Sequence, residues 1–183
     1  ARVERQKRAP IFVIMGNPPY NAHQVNENDN SKNRKYAELD KWVAHTYSKD
    51  SAATNKNALS DPYVKAFKWA SRRIEEHGEG IVAFVSNNSF VNDFTFDGMR
   101  NHLTADFNRI YVLDLKGNIR KDSMRDGIPL GEQHTVFGLS AMVGIAITFL
   151  VRKKDGNEHK IFYKTVDFRS TRAEKFALLE KAQ

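Results

Sequence analysis

The sequence contains no cysteine. That excludes disulfides and thiolate metal sites, and it fits a reducing cytosol, where the chain is expected to reside. Long hydrophobic runs are also missing. The longest near the carboxyl end, Val143 to Val151, carries Thr148 and is too short to cross a bilayer, so no membrane partner is expected. The opening residues, Ala1 to Arg8, lack the apolar segment of a signal peptide. There is no phosphate-cradling P-loop, so NTP hydrolysis is not expected of these residues. The six histidines, at positions 23, 45, 77, 102, 134 and 159, show no ligand spacing with carboxylates, which argues against a zinc or iron site. Ser86 and Ser89 lack a nucleophile-elbow context. Asp114 and Asp122 lack the acid–lysine pattern a nuclease would need. Proline is scarce, and two of the five prolines stand side by side as Pro18 and Pro19.

What is present describes a folded protein. Of 183 residues, 40% are hydrophobic and 11% aromatic, enough for one domain with a real core. The formal charge of +7 is compatible with a nucleic-acid partner and equally with an ordinary basic protein.

Along the chain, Ile11 to Ile14 form a continuous apolar run, predicting a strand buried on both faces. Residues 21–60 are polar and rich in Asn, Lys and Ser, with one short helix expected over Lys35 to Tyr47. Asp61-Pro62 marks the start of a better helix, Asp in the capping role and Pro at the first position. Its apolar stripe is Tyr63, Phe67, Ala70 and Ile74, and His77-Gly78 ends it. Ile81 to Ser86 reads as a second buried strand, Phe96 to Phe107 as a helix with Met99, Leu103 and Phe107 on one side, and Arg109 to Leu115 as a third strand. After a polar loop from Lys116 to Thr135, Gly144 to Arg152 is a fourth strand. Residues 153–157 suggest a turn bringing Lys160 to Val166 back as a fifth, and residues 170–181 an amphipathic helix. Arg72-Arg73 is expected on a solvated helix face. The alternation predicts an α/β fold: a partial Rossmann-like, mixed but mostly parallel sheet that closes with an antiparallel hairpin.

The sharpest local signal follows the first strand: Gly16-Asn17-Pro18-Pro19-Tyr20. Two prolines cannot extend a sheet interior, so the strand ends there on a stiff backbone. An amide, a fixed carbonyl and an aromatic ring then sit at a strand's carboxyl end, where open α/β sheets bind ligands. The alternative is a rigid surface turn. Such a set suits methyl transfer to an exocyclic amine. The amino nitrogen of adenine is a poor nucleophile because its lone pair is delocalised. If the side-chain oxygen of Asn17 and the carbonyl of Pro18 each accept one N–H, the nitrogen moves towards tetrahedral geometry and its lone pair is released. Pro19 keeps Pro18 extended, and Tyr20 offers a stacking face to a base taken out of the duplex.

These residues resemble motif IV of the N6-adenine DNA methyltransferases, and the likeness runs along nearly the whole chain. Lys35 to Asp40, Ala53 to Asn57, Ile81 to Asn87, Leu113 to Asn118, Val136 to Ser140 and Ile145 to Val151 are similar to the methylase region of single-polypeptide type I (type ISP) restriction–modification enzymes. In that family a nuclease, a helicase-like translocase, a methyltransferase and a target-recognition domain share one chain. The resemblance implies that Asn17, Pro18, Pro19 and Tyr20 are the catalytic loop and that Ile81 to Asn88 flank the methyl-donor pocket. It places Phe137 as a second aromatic against the flipped adenine; a core Phe capping the sheet is the alternative. The family's donor-binding turn, of Phe-x-Gly-x-Gly type, precedes motif IV and has no counterpart before Asn17. His77 to Gly80 precedes a strand instead of following one and is no substitute. The chain is therefore expected to be the motif IV to VIII half of the domain, with S-adenosylmethionine bound only in the intact protein. A bare strand edge should result, open to self-association or to the remaining domains of a parent chain. Double-stranded DNA is the expected partner. The basic loop carrying Lys116, Arg120, Lys121 and Arg125, with Lys32, Arg34 and Lys35, would contact phosphates, or else be a solvated loop. The competing functional reading is a non-catalytic DNA-binding or scaffolding remnant of such a domain.

Overall fold

The computed structural model describes residues 2–20, 35–125, 127–156 and 158–181. A short helix α1 (Arg2–Arg8) leads into β1 (Val13–Gly16). Then follow α2 (Ala37–Val43), which runs on into a wider turn over Ala44–Ser48, and α3 (Pro62–Glu75). Next come β2 (Gly80–Asn87), α4 (Ser89–Asn92), α5 (Asp97–Asp106) and β3 (Arg109–Asp114). A two-stranded ribbon, β4 (Met124–Arg125) with β5 (Ile128–Pro129), lies within the loop that follows. The chain closes with β6 (Ile145–Arg152), β7 (Lys160–Thr165) and α6 (Arg172–Glu180).

Local chemistry explains the helix ends. The Asp61 carboxylate accepts from the Tyr63 amide at 3.3 Å, with Pro62 at the first helical position. Gly78 closes α3 in the left-handed region, φ 82°. Thr171 and Glu174 form a reciprocal capping box at the start of α6. The stripe Tyr63, Phe67, Ala70 and Ile74 is fully buried as its spacing requires, and so are Met99, Leu103 and Phe107. Arg72 departs from the expected solvated position: its guanidinium lies over the Trp42 ring, 4.0 Å from the centroid, and joins α2 to α3.

The five-stranded sheet is mixed, in the order β1-β2-β6-β3-β7. β1 pairs parallel with β2, and β3 with β7, while β6 is antiparallel to both its neighbours. The mixed α/β architecture agrees with expectation, and its ending differs. β6 and β7 run in opposite directions but are not hydrogen-bonded neighbours, because β6 inserts between β2 and β3 and leaves β7 on the far side of β3. A short turn-like linker promised a hairpin; pairing was decided by the available edge beside β2.

Paired residues share a face. Val82, Leu150 and Ile110 form one row, Phe84, Thr148 and Val112 the next, all buried beneath α2, α3 and α5. The alternate residues Met15, Phe149, Tyr111 and Phe162 also form a row, and they are exposed. The continuous apolar run of β1 thus does not mean burial on both faces here: Ile14 packs on the core while Val13 and Met15 face out.

Candidate functional site

Four strand ends meet along the edge where β1, β2 and β3 terminate. A cleft of about 380 Å³ opens there, lined by Tyr20 after β1, Asn87 at the end of β2 with Ser89 beyond it, and Asn118, Arg120 and Lys121 after β3. Ser140 to Val143, leading into β6, complete the rim, and Asp61, Tyr63, Asp93 and Phe96 form the opposite wall. This is the carboxyl edge of the parallel strands, the position at which an open α/β sheet offers loop residues to a ligand.

Tyr20 is half-buried and packs against two groups of core residues at once, one containing Phe84 and Phe90 and the other Leu115, Val136 and Ile145. Burial pushes its phenol pKa up, partly offset by a hydrogen bond from the Asn17 side chain. The ring therefore stays neutral at physiological pH and keeps an apolar face. With its amide engaged toward Tyr20, Asn17 is held at the mouth of the strand, exposed to solvent. Pro18 is half-buried and Pro19 exposed, and neither lines the cleft.

The remaining expected residues are dispersed. Phe137 is exposed and outside the cleft lining, one residue from Val136, which belongs to the buried cluster against which Tyr20 packs. Its carbonyl accepts from Ser140 Oγ at 2.6 Å, which ties it to the rim. Arg120 and Lys121 face the cleft, and the Lys121 ammonium reaches across to Asp93 at 2.6 Å. Lys116 turns inward instead, its Nζ 2.6 Å from Asp114 Oδ2. Arg125 belongs to β4, and Lys35 is exposed ahead of α2. Lys32 and Arg34 lie outside the described residues.

One constellation is absent from the sequence expectations. Asp114, fully buried at the end of β3, gathers the site's loops around its carboxylate. Asn88 Nδ2 donates to Oδ1 at 2.8 Å, and the Lys116 amide does so at 3.0 Å. The Lys116 ammonium and the Tyr163 hydroxyl, at 3.1 Å, take Oδ2. Burial alone would raise the Asp114 pKa, but the hydrogen bonds from Lys116 and Asn88 outweigh it and hold the carboxyl below its usual range. For Lys116, burial works against the cation, and the bond and charge of Asp114 raise its pKa above the ordinary value. Both partners are therefore ionised. Beside them Lys175 of α6, only 1% exposed, donates to the His134 carbonyl. Its pKa is pushed down to about 8 by burial, which the charge of Asp114 opposes and that of Arg172 reinforces. Arg172 also donates to the Thr135 carbonyl at 3.2 Å, so α6 grips the strap between β5 and β6. A sequence signal existed for Asp114: a lone carboxylate amid Val112, Leu113 and Leu115, at a position whose alternation points inward.

Among the described residues, no group of three or more His, Asp or Glu side chains is placed to hold a metal ion. Nor is any helix among them long and apolar enough to cross a membrane.

No protein-family model matches the chain, and no curated protein sequence does. Solved structures do match. The chain is 41% identical to DrdV in a cryo-electron-microscopy structure of its DNA complex, over all of this chain and 17% of that one, with a TM-score of 0.82. It is 36% identical to a nuclease-deletion mutant of the type ISP restriction–modification enzyme LlaGI in complex with a DNA substrate mimic, over 98% of this chain and 14% of that one, TM-score 0.84. It is 38% identical to LlaBIII, an ATP-dependent type ISP restriction–modification enzyme bound to DNA, over 98% of this chain and 12% of that one, TM-score 0.83. The chain thus spans between 12% and 17% of the length of these structures. From end to end it is similar in sequence and fold to a segment of type ISP restriction–modification enzymes.

Proposed function

We propose that this chain is the catalytic-loop half of an N6-adenine DNA methyltransferase within a restriction–modification enzyme. The observation that carries the reading is the placement of Asn17-Pro18-Pro19-Tyr20 at the end of β1, with Tyr20 lining a cleft on the carboxyl edge of the sheet. The likeness to type ISP enzymes in DNA complexes supports it.

In this reading an adenine leaves the duplex and stacks on the neutral Tyr20 ring, a contact that contributes about 1–3 kcal/mol. Asn17, its side-chain amide turned toward Tyr20, keeps its carbonyl oxygen to accept one N–H of the exocyclic amine. The Pro18 carbonyl accepts the other, and Pro19 fixes its direction. The two acceptors localise the lone pair by position and electrostatics, without a strong base. Arg120 and Lys121 at the cleft face the phosphates that flank the extruded base. Lys116 does not take that role, since it does not line the cleft and its ammonium is turned to the fully buried Asp114.

S-adenosylmethionine supplies the methyl group. Among the described residues, the strand-terminal turns Asn17 to Pro19, Asn87 to Ser89 and Leu115 to Gly117 do not form the glycine-rich cradle such a donor needs. We therefore assign donor binding, with the nuclease, translocase and target-recognition functions, to other parts of a longer protein. The exposed sheet row of Met15, Phe149, Tyr111 and Phe162 is where such parts would pack.

The test is Asn17→Ala in the longer protein. Methyl transfer to adenine, followed with labelled donor, should fall below detection while DNA affinity and thermal midpoint stay unchanged. Retained transfer would overturn the assignment, and DNA binding with no transfer by the unmodified protein would favour a non-catalytic remnant.

A further inference from the structure

We infer that Asp114 is a positioning residue that sets the two cleft-lining loops after β2 and β3 as one unit, acting through Asn88 and Lys116. The inference rests on the methyltransferase reading of the cleft and concerns a residue that does not itself line it.

The geometry is that of a shared anchor. Asp114 Oδ1 accepts from Asn88 at 2.8 Å and from the Lys116 amide at 3.0 Å, so one oxygen holds the first residue beyond β2 and the second residue beyond β3. Asn88 sits between Asn87 and Ser89, both in the cleft wall; Lys116 leads directly to Asn118, Arg120 and Lys121. The backbone has been shaped to permit this. Lys116 adopts φ 54°, a left-handed conformation that a side chain rarely takes and that needs an external reason to persist. The bonds from its amide and ammonium to Asp114 supply that reason. Gly117 follows at φ 91°, where a Cβ would stand 2.6 Å from the His134 carbonyl. At the entry to β6, a Cβ on Gly144 would come within 2.3 Å of the Asn88 side chain, so Asn88 reaches Asp114 only because residue 144 has none. The Asn88 amide also donates to the Gly144 carbonyl at 2.9 Å, which ties the entry to β6 into the same assembly.

A fully buried carboxylate is costly unless its lone pairs are satisfied, and here each oxygen has two donors. Such a network has one low-energy arrangement. Removing a donor leaves an unsatisfied charge, and removing the charge releases both loops together. If the loops act as a unit, disturbing either link should cost the same catalytic geometry, and disturbing both should cost little more.

The experiment uses the longer protein carrying Asp114→Asn, Asn88→Ala and the double substitution. Single-turnover methyl transfer should slow about 10- to 100-fold in each single variant, the scale of a small misplacement of reacting groups. DNA affinity should stay within about threefold, and the double variant should be no more than about threefold slower than the slower single one. Hydrogen exchange should rise at residues 87–92 and 116–121 together in Asp114→Asn. Losses that multiply, a rate unchanged in Asp114→Asn, or faster exchange confined to one loop would overturn the inference. Should the unmodified protein transfer no methyl group, the methyltransferase reading fails, while the exchange comparison still decides whether Asp114 couples the loops.

Discussion

The two faces of the sheet are built by the same strands and differ in almost everything else. On one face Val82, Leu150, Ile110 and Val112 lie under three helices and touch Phe67, Phe84 and Phe90, whose rings pack at 5.0 and 5.2 Å. On the other, residues one step along each strand stand uncovered: Met15 is 76% exposed and Phe149 46%. Tyr111 and Phe162 stack at 4.7 Å with rings nearly parallel, a pairing that shields some apolar surface without a covering layer. At the carboxyl end α6 crosses this face, Leu179 packing against the buried cluster of Leu115, Val136 and Ile145, as Leu113 and Ile147 do. Residue chemistry therefore marks both faces for burial, and the described helices bury one along its length and the other only at its carboxyl end. A sheet of mostly co-directional strands is stable when both faces are covered.

The largest test of that contrast is Leu150→Ala beside Phe149→Ala. Leu150 is fully buried, and its truncation should cost about 2–5 kcal/mol in chemical denaturation. Its neighbour should cost less than about 1 kcal/mol in this chain and several in a longer protein that covers the face. Equal costs in this chain would erase the distinction.

A middle-sized effect concerns how α6 is held. The Lys175 ammonium titrates near pH 8 in the folded chain, against about 10.4 when unfolded. Below pH 8 both states carry the proton, and the cost of burying the cation is present in full. Between pH 8 and about 10.4 the unfolded chain binds more protons, so stability rises with pH. Denaturation midpoints should climb across that window, and Lys175→Met should flatten the climb; a slope unchanged in the variant would assign it elsewhere.

The smallest effect belongs to the cleft, away from both faces. Lys121 and Asp93 form a surface ion pair, so Lys121→Gln should change stability by less than about 1 kcal/mol. It should weaken DNA binding alike for all sequences and reduce the salt dependence by about one ion. A sequence-selective loss in binding assays would contradict a phosphate role.

What the sequence made legible was local. The Asp61-Pro62 start, the His77-Gly78 stop and the helical stripes of α3 and α5 are decided within a few residues, and they stand where spacing puts them. The place of Asn17 to Tyr20 at a strand end was equally local. Strand order was not: nothing within Ile145 to Arg152 distinguishes insertion beside β2 from a hairpin with β7, because the choice depends on edges far away in sequence. Asp114 was hidden for the same reason, its four donors coming from three separate segments. In α6 hydropathy would bury Phe176, yet Phe176 is 44% exposed and Lys175 sits inside, paired with a carbonyl that only the folded strap provides.

β1 is four residues long and, among the described residues, draws its sheet hydrogen bonds from β2 alone. A ribbon tethered along one margin breathes more readily than its neighbours, and Asn17 rides on its end. The proposed acceptor pair thus hangs from an edge strand of the sheet. Any strand that docks along Val13 to Gly16 would stiffen the proposed acceptor pair without touching it, making the proposed methyl transfer a readout of assembly.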